Sequence, residues 1–230
     1  GYIQESSTKD SIILLKYDPN NGPNPDGTPL WEITYDAGNN GHDRAFAIIA
    51  DDVHGVVVTG ESQSVSADFD CLTVKYDTSG NQVWVRRYAD TGDGRGEALA
   101  MDAEGNVVMA GYIHNGSNQD FYVVEYAADD SPANWVDIYD SGFDDHATAI
   151  WLDENDNVYV AGDDATLTTG SDIHVAKYDG SPESKPGAIA ITRPMATMIW
   201  LWTWSVTLTA NCLSLVIRMT LSAGPMMCWR

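Results

Sequence analysis

Basic residues are scarce in this chain: 12 lysines and arginines stand against 34 aspartates and glutamates, for a formal net charge of −22 at pH 7. Because a groove that follows a nucleic-acid backbone needs basic surface, a nucleic-acid partner is not expected. Cysteine is also rare. Cys71, Cys212 and Cys228 are too few for a disulfide framework and are not spaced like metal ligands. Apolar residues nevertheless make up 43% of the chain, which excludes general disorder.

A useful helical period is missing as well, and in its place a unit of about 51 residues recurs. The segment WEITYDAGNNGHDRAFAIIADDVHGVVVTG begins at Trp31. It returns as WVRRYADTGDGRGEALAMDAEGNVVMAG from Trp84 and as WVDIYDSGFDDHATAIWLDENDNVYVAG from Trp135. A second signature recurs as LLKYD, TVKYD, VVEYA and VAKYD. The chain opens with GYIQESSTKDSIILLKYD, which matches GYIHNGSNQDFYVVEYA, so we expect residue 1 to fall inside a unit. This period predicts that each repeat folds into one supersecondary unit that packs against its neighbours.

Each unit contains four short runs that alternate or are β-branched. In the first full unit these predicted strands are roughly Arg44–Ala50, Val56–Gly60, Cys71–Tyr76 and Gln82–Tyr88. The runs are separated by Gly, Asn and Asp, which favour tight turns. Four consecutive antiparallel strands per unit predict an all-β fold made of propeller blades, and they exclude a helical solenoid.

The pattern W-x3-Y, D/H-x-A-x-A-I, D-x2-G-N-V-x-V-x-G and D-x4-KYD resembles the bacterial and archaeal β-propeller repeat called SBBP, over residues 1 to about 181. The resemblance implies a partial blade over 1–35, blades over 36–88 and 89–139, and most of a blade over 140–181. About three and a half regular blades would form an open part of a larger ring. The family also implies an extracellular or cell-surface location. Two positions depart from the pattern: Gly96 replaces Ala45 and Ala147, and Asn157 replaces the turn glycine.

Residues 182–230 form an aberrant tail, because none of the 34 acidic residues lies after Glu183. We favour the hypothesis that this tail is a fourth blade translated out of frame, since compatible codons read in the shifted frame permit the family's landmarks in the correct order. Two alternatives stay open. Ile199–Ile217 is 19 uncharged residues long, enough for a membrane helix, although its Thr, Ser and Asn weaken that prediction. The alternation of Trp200, Trp202 and Trp204 is typical of a strand.

Polar residues occupy equivalent positions in the loops before the first strand of three units. We call seven of them the acidic rim and predict that they bind a ligand: His42, Asp43, Asp93, Arg95, Asp144, Asp145 and His146. Carboxylate oxygens suit Ca²⁺, the one cofactor that this pattern suggests, and they also suit a cationic or sugar ligand. Short polar residues equally build solvated turns, which is the simpler interpretation.

Other motifs favour structural roles. The acidic stretch Asp153–Asn157 lacks the glycine and the distal glutamate of an EF-hand, and it occupies the position of a hairpin turn. His54, His114 and His174 fall at different positions of the repeat, so we expect surface or strand residues rather than a histidine cluster. The repeated tryptophans and the tyrosines four residues later predict packing between blades. No serine or cysteine has a persuasive catalytic partner, so no catalytic residue is predicted.

These observations predict a non-catalytic β-propeller module, extracellular or at the cell surface, that binds a protein, a glycan or an ion. One alternative is a hydrolase or lyase that acts on polysaccharide at the acidic rim, where carboxylates could be paired. A second alternative is a propeller tethered to a membrane through residues 199–217, although a membrane partner is not expected.

Overall fold

The computed structural model describes residues 2–6, 9–18, 27–38, 41–63, 68–88, 92–166 and 170–179. These residues form fourteen β-strands and no helix, which confirms the predicted all-β class. In chain order, the strands are β1 (Tyr2–Ser6), β2 (Lys9–Lys16), β3 (Trp31–Tyr35), β4 (Asp43–Asp51), β5 (Gly55–Gln63), β6 (Phe69–Tyr76), β7 (Gln82–Tyr88), β8 (Arg95–Met101), β9 (Val107–His114), β10 (Gln119–Tyr126), β11 (Trp135–Tyr139), β12 (Asp145–Leu152), β13 (Val158–Thr166) and β14 (Gly170–Tyr178).

The strands make four antiparallel sheets, each built from consecutive strands. Sheet 1 contains β1–β3, sheet 2 contains β4–β7, sheet 3 contains β8–β11 and sheet 4 contains β12–β14. The four predicted strands of sheet 2 are present, but β5 and β6 begin or end two to three residues beyond the prediction. The additional residues are largely polar, so the apolar pattern did not reveal that they continue the ladder.

The core consists of three apolar clusters, one at each junction between consecutive sheets. Ile12 and Leu14 of sheet 1 pack with residues of β5 and β6, and the corresponding clusters join sheets 2 and 3 and sheets 3 and 4. Sheets 2 and 3 therefore bury both of their faces. This explains why Val56, Val57 and Val58 are all buried although alternate side chains point to opposite faces.

The repeated tryptophans pack across these junctions, as predicted. The Trp84 ring lies 5.5 Å from the Tyr126 ring, and the Trp135 ring lies 5.2 Å from the Tyr178 ring, centroid to centroid. Trp84 is 2% exposed. The aromatic residues therefore join neighbouring sheets rather than form an open sugar platform.

The repeated glycine of the second strand is required by a close backbone approach. A Cβ atom on Gly60, Gly111 or Gly162 would lie within 2.0 Å of a carbonyl oxygen on the preceding strand. The strand register shifts next to each of these contacts. At Gly96, a Cβ atom would lie 1.9 Å from Thr59 Oγ1, which explains why alanine is absent there.

One detail of the sequence interpretation is wrong. Asn157 was expected to replace the turn glycine of the third hairpin, but the left-handed backbone lies one residue earlier, at Asp156, with a φ of 58°. Aspartate tolerates this conformation better than most residues because its short side chain bonds locally.

Within the described ranges no helix is long and apolar enough to cross a membrane. Three predictions concern residues outside these ranges. They are the candidate membrane segment Ile199–Ile217, the strand-like alternation of Trp200, Trp202 and Trp204, and the out-of-frame blade.

Candidate functional site

The seven residues of the acidic rim all lie at one end of sheets 2, 3 and 4. They precede or begin β4, β8 and β12, the first strand of each of these sheets. The end of the second strand and the beginning of the third strand of each sheet lie at the same end, because consecutive strands are antiparallel. The structure therefore places the predicted residues as the repeat implies.

Asp93 and Asp144 each join the loop that contains them to the preceding sheet. The Phe69 amide, at the beginning of β6, donates a hydrogen bond to Asp93 Oδ1 at 2.9 Å. The Gln119 amide, at the beginning of β10, donates one to Asp144 Oδ1 at 3.0 Å. These equivalent contacts give both carboxylates a structural role in holding neighbouring sheets together.

Asp43 and Asp145 are buried and close their own loops. Asp43 accepts hydrogen bonds from the Ala37 amide at 2.9 Å and from the Ser62 hydroxyl. Asp145 accepts hydrogen bonds from the Ser141 amide at 2.7 Å and from the Ser141 hydroxyl at 2.9 Å. Burial raises the pKa of Asp145 to about 6, against these two hydrogen bonds, which act to lower it.

Glu61, on β5, is a member of this site that the sequence did not reveal. Its carboxylate is 3% exposed and accepts hydrogen bonds from Arg44 at 3.2 Å and from Arg95 at 2.8 Å. Arg44 also donates to Asp10 Oδ2 of sheet 1 at 2.9 Å. Alternating acidic and basic groups thus connect sheets 1, 2 and 3. The available signal was a glutamate directly after the predicted strand Val56–Gly60.

The two histidines of the rim also contact neighbouring sheets. His42 Nδ1 lies 2.9 Å from Asp10 Oδ2. The His146 ring lies 4.6 Å from the Tyr112 ring of sheet 3, and its Nδ1 atom lies 3.4 Å from Asp163 Oδ2 of its own sheet. Each side chain of the acidic rim therefore contacts another part of the protein.

Sheet 4 contains a row of three buried carboxyl groups that the sequence did not reveal. Asp145, Asp164 and Asp172 lie directly opposite one another on β12, β13 and β14. The Tyr139 hydroxyl donates a hydrogen bond to Asp164 Oδ2 at 2.9 Å, whereas Asp164 Oδ1 is buried without a hydrogen-bond partner. Among the described residues, no group of three or more His, Cys, Asp or Glu side chains is placed to hold a metal ion.

His174 lies beside this row and is buried in β14. Its ring stacks on Tyr139 with 4.1 Å between centroids, and its Nδ1 atom has no hydrogen-bond partner. Burial lowers the pKa of His174, against the charges of Asp164 and Asp137. Of the two roles expected for this histidine, surface or strand, the structure supports the strand.

Asp153–Asn157 forms a hairpin turn, as predicted. The Asp153 carboxylate accepts hydrogen bonds from the amides of Asn155 and Asn157 and from the Asn157 side chain, at distances of 2.8–3.0 Å. These contacts occupy both carboxylate oxygens of Asp153, the residue that would be the first ligand of a calcium-binding loop.

No family model and no curated protein matches this chain. The similarity to the SBBP repeat therefore stays a prediction from the motifs.

Proposed function

We propose that this chain is part of a β-propeller and that it serves as a non-catalytic module for binding or scaffolding, outside the cell or at its surface. Sheets 2 and 3 would be the blades predicted over 36–88 and 89–139. Stacking of consecutive three- and four-stranded antiparallel sheets through equivalent aromatic residues supports this architecture.

One observation carries the functional proposal: the charged groups at the loop end are bonded to the protein itself. Asp93 and Asp144 accept backbone hydrogen bonds, and Glu61 accepts hydrogen bonds from two arginines. Such contacts hold the loops in place and make the loop end a preorganised surface for a protein or glycan ligand. Ca²⁺ stays an alternative ligand.

The hydrolase or lyase alternative would need a carboxyl group that reaches the substrate. Among the acidic-rim residues, Asp145 has the raised pKa that a general acid needs, but it is 0% exposed and accepts hydrogen bonds from Ser141. This burial makes the binding proposal the stronger one. Tethering to a membrane through 199–217 concerns residues outside the described ranges.

A panel of plant, fungal and bacterial polysaccharides, each incubated with the purified chain, separates the two proposals. We expect binding to immobilised members of the panel without release of reducing ends. Release that is lost in Asp144→Asn or Asp145→Asn would overturn the non-catalytic proposal. A parallel melt with and without Ca²⁺ tests the ion, because a ligand of the native state raises the melting temperature by mass action.

A further inference from the structure

The two end faces of the stack of sheets expose residues whose equivalents pack inside the internal junctions. In the junction between sheets 2 and 3, the residues Ile113, Tyr122, Val124 and Tyr126 of sheet 3 pack against sheet 2. The matched motifs GYI and KYD place Ile3, Ile13, Leu15 and Tyr17 at the equivalent positions of sheet 1. Leu15 is exposed, and so is Tyr17, at 45%, because no described residue precedes sheet 1 in the stack.

The opposite end face, on sheet 4, shows the same feature. Trp151 and Tyr159 lie opposite each other on β12 and β13, at the positions that Ile49 and Val57 hold in sheet 2. Ile49 packs against the apolar cluster in the junction with sheet 3, whereas its counterpart Trp151 is 58% exposed. Ile173, on the same face, is also exposed.

A lysine on this face indicates what kind of surface fits there. Lys75 of sheet 2 donates a hydrogen bond to the Ala128 carbonyl oxygen of sheet 3 at 2.7 Å, and Lys16 of sheet 1 approaches the Thr78 carbonyl oxygen of sheet 2 at 3.5 Å. Lys177 holds the equivalent position in sheet 4 and lies over the Tyr159 ring, 4.0 Å from Asp179. At the internal junctions the equivalent lysines contact backbone carbonyl oxygens of the next sheet. Lys177 is therefore placed to contact a carbonyl oxygen of another sheet of the same type.

We propose that the chain associates head to tail with a second copy of itself: the end face of sheet 4 in one copy packs on the end face of sheet 1 in the next. The contact would repeat the internal junctions, with Ile3, Leu15 and Tyr17 of one copy against Trp151, Tyr159 and Ile173 of the other. The inference does not depend on the ligand proposed for the acidic rim. The two surfaces differ, so the interface is heterologous and continues from copy to copy unless it closes.

Charge determines how this association depends on salt. Two copies with a formal net charge of −22 each repel one another, while the contact itself is mainly apolar. Added salt screens the repulsion and leaves the burial of apolar surface in place, so self-association strengthens as the salt concentration rises. An interface held by ion pairs would respond in the opposite direction.

Sedimentation velocity of the full chain over a concentration series, at low and high NaCl, tests the proposal. We expect the average mass of the sedimenting species to increase with the protein concentration and with the NaCl concentration. Trp151→Asp and Tyr17→Asp should each weaken self-association by at least about tenfold. Val53→Asp is the matched control, since Val53 is 77% exposed in the turn between β4 and β5, away from both end faces.

The decisive experiment mixes the two single variants. Trp151→Asp keeps an intact sheet 1 face and Tyr17→Asp keeps an intact sheet 4 face, so a mixture should form a one-to-one dimer that stops growing. Circular dichroism confirms folding, and Ile173→Asp replaces Trp151→Asp if the latter does not fold. A wild-type chain that stays monomeric at all concentrations would overturn the proposal. So would a mixture without dimers.

Discussion

Asp145 and Asp164 lie directly opposite each other on β12 and β13, and both side chains are buried. In sheet 2 the equivalent pair is Asp43 and Ser62, in which the serine hydroxyl donates to the carboxylate. Sheet 4 therefore has a second acidic group where sheet 2 has a hydrogen-bond donor. Burial and, to a smaller extent, the nearby charge of Asp164 raise the pKa of Asp145, so this end of sheet 4 should be sensitive to pH.

Asp145→Asn should remove the part of the pH dependence of the unfolding free energy that comes from this carboxyl group. In the folded protein the pKa of Asp145 is raised to about 6, whereas an unfolded aspartate titrates near pH 4. The folded state binds this proton more tightly, so the stabilisation is fully present below about pH 4 and is lost as the pH rises through about 6. Relative to Asp145→Asn, wild type should lose roughly 3 kcal/mol of unfolding free energy across that range.

Urea unfolding at a series of pH values measures this difference. Asp144→Asn is the matched control, because it changes the exposed neighbour and leaves Asp145 in place. Parallel pH profiles for wild type and Asp145→Asn would show that the buried carboxyl group has an ordinary pKa.

Trp84→Ala should lower the free energy of unfolding by about 3–5 kcal/mol, because the indole is buried between sheets 2 and 3 against Tyr126. Trp151→Ala is the control of the same chemistry at an exposed position and should cost less than about 1 kcal/mol. Denaturant unfolding at low protein concentration measures both. Equal costs for the two substitutions would contradict the junction as the source of stability.

Glu61→Gln should destabilise the protein by about 2–3 kcal/mol. The substitution keeps the volume but leaves the guanidinium groups of Arg44 and Arg95 without their shared buried carboxylate. Glu97→Gln is the control, because Glu97 is less buried and contacts Arg95 at 3.4 Å. Thermal melts of the three proteins at one pH give the comparison, and a loss no larger than that of the control would refute the role of Glu61.

Gly111→Ala should lower the unfolding free energy by about 3 kcal/mol, because the new Cβ atom would lie 2.0 Å from the Arg95 carbonyl oxygen. Gly142→Ala has open space around it but a φ of 89°, so we expect a cost of about 1 kcal/mol. Urea unfolding distinguishes the steric effect from the conformational one. A tolerated alanine at position 111 would mean that β8 and β9 move apart without cost.

The loop end illustrates how much of a site the sequence could reveal. Equivalence within the repeat placed Asp93 and Asp144 correctly at the same end of neighbouring sheets. Their partners, the amides of Phe69 and Gln119, are 24 and 25 residues away in the chain and belong to the preceding sheet. Glu61 was missed because its charge is matched by an arginine of a different sheet, and no local pattern records that pairing.

The sequence by itself determined the all-β class, the turns and the order of strands within each sheet. Alternation, β-branched residues and turn chemistry act over a few neighbouring residues, so a single chain segment displays them. Tertiary structure alone decided which polar residues are buried. Asp164 and His174 look like ordinary polar strand residues in the sequence, and they become buried because sheet 4 packs this face against Tyr139 of sheet 3. Burial depends on what covers a side chain, and the covering residues come from another part of the chain.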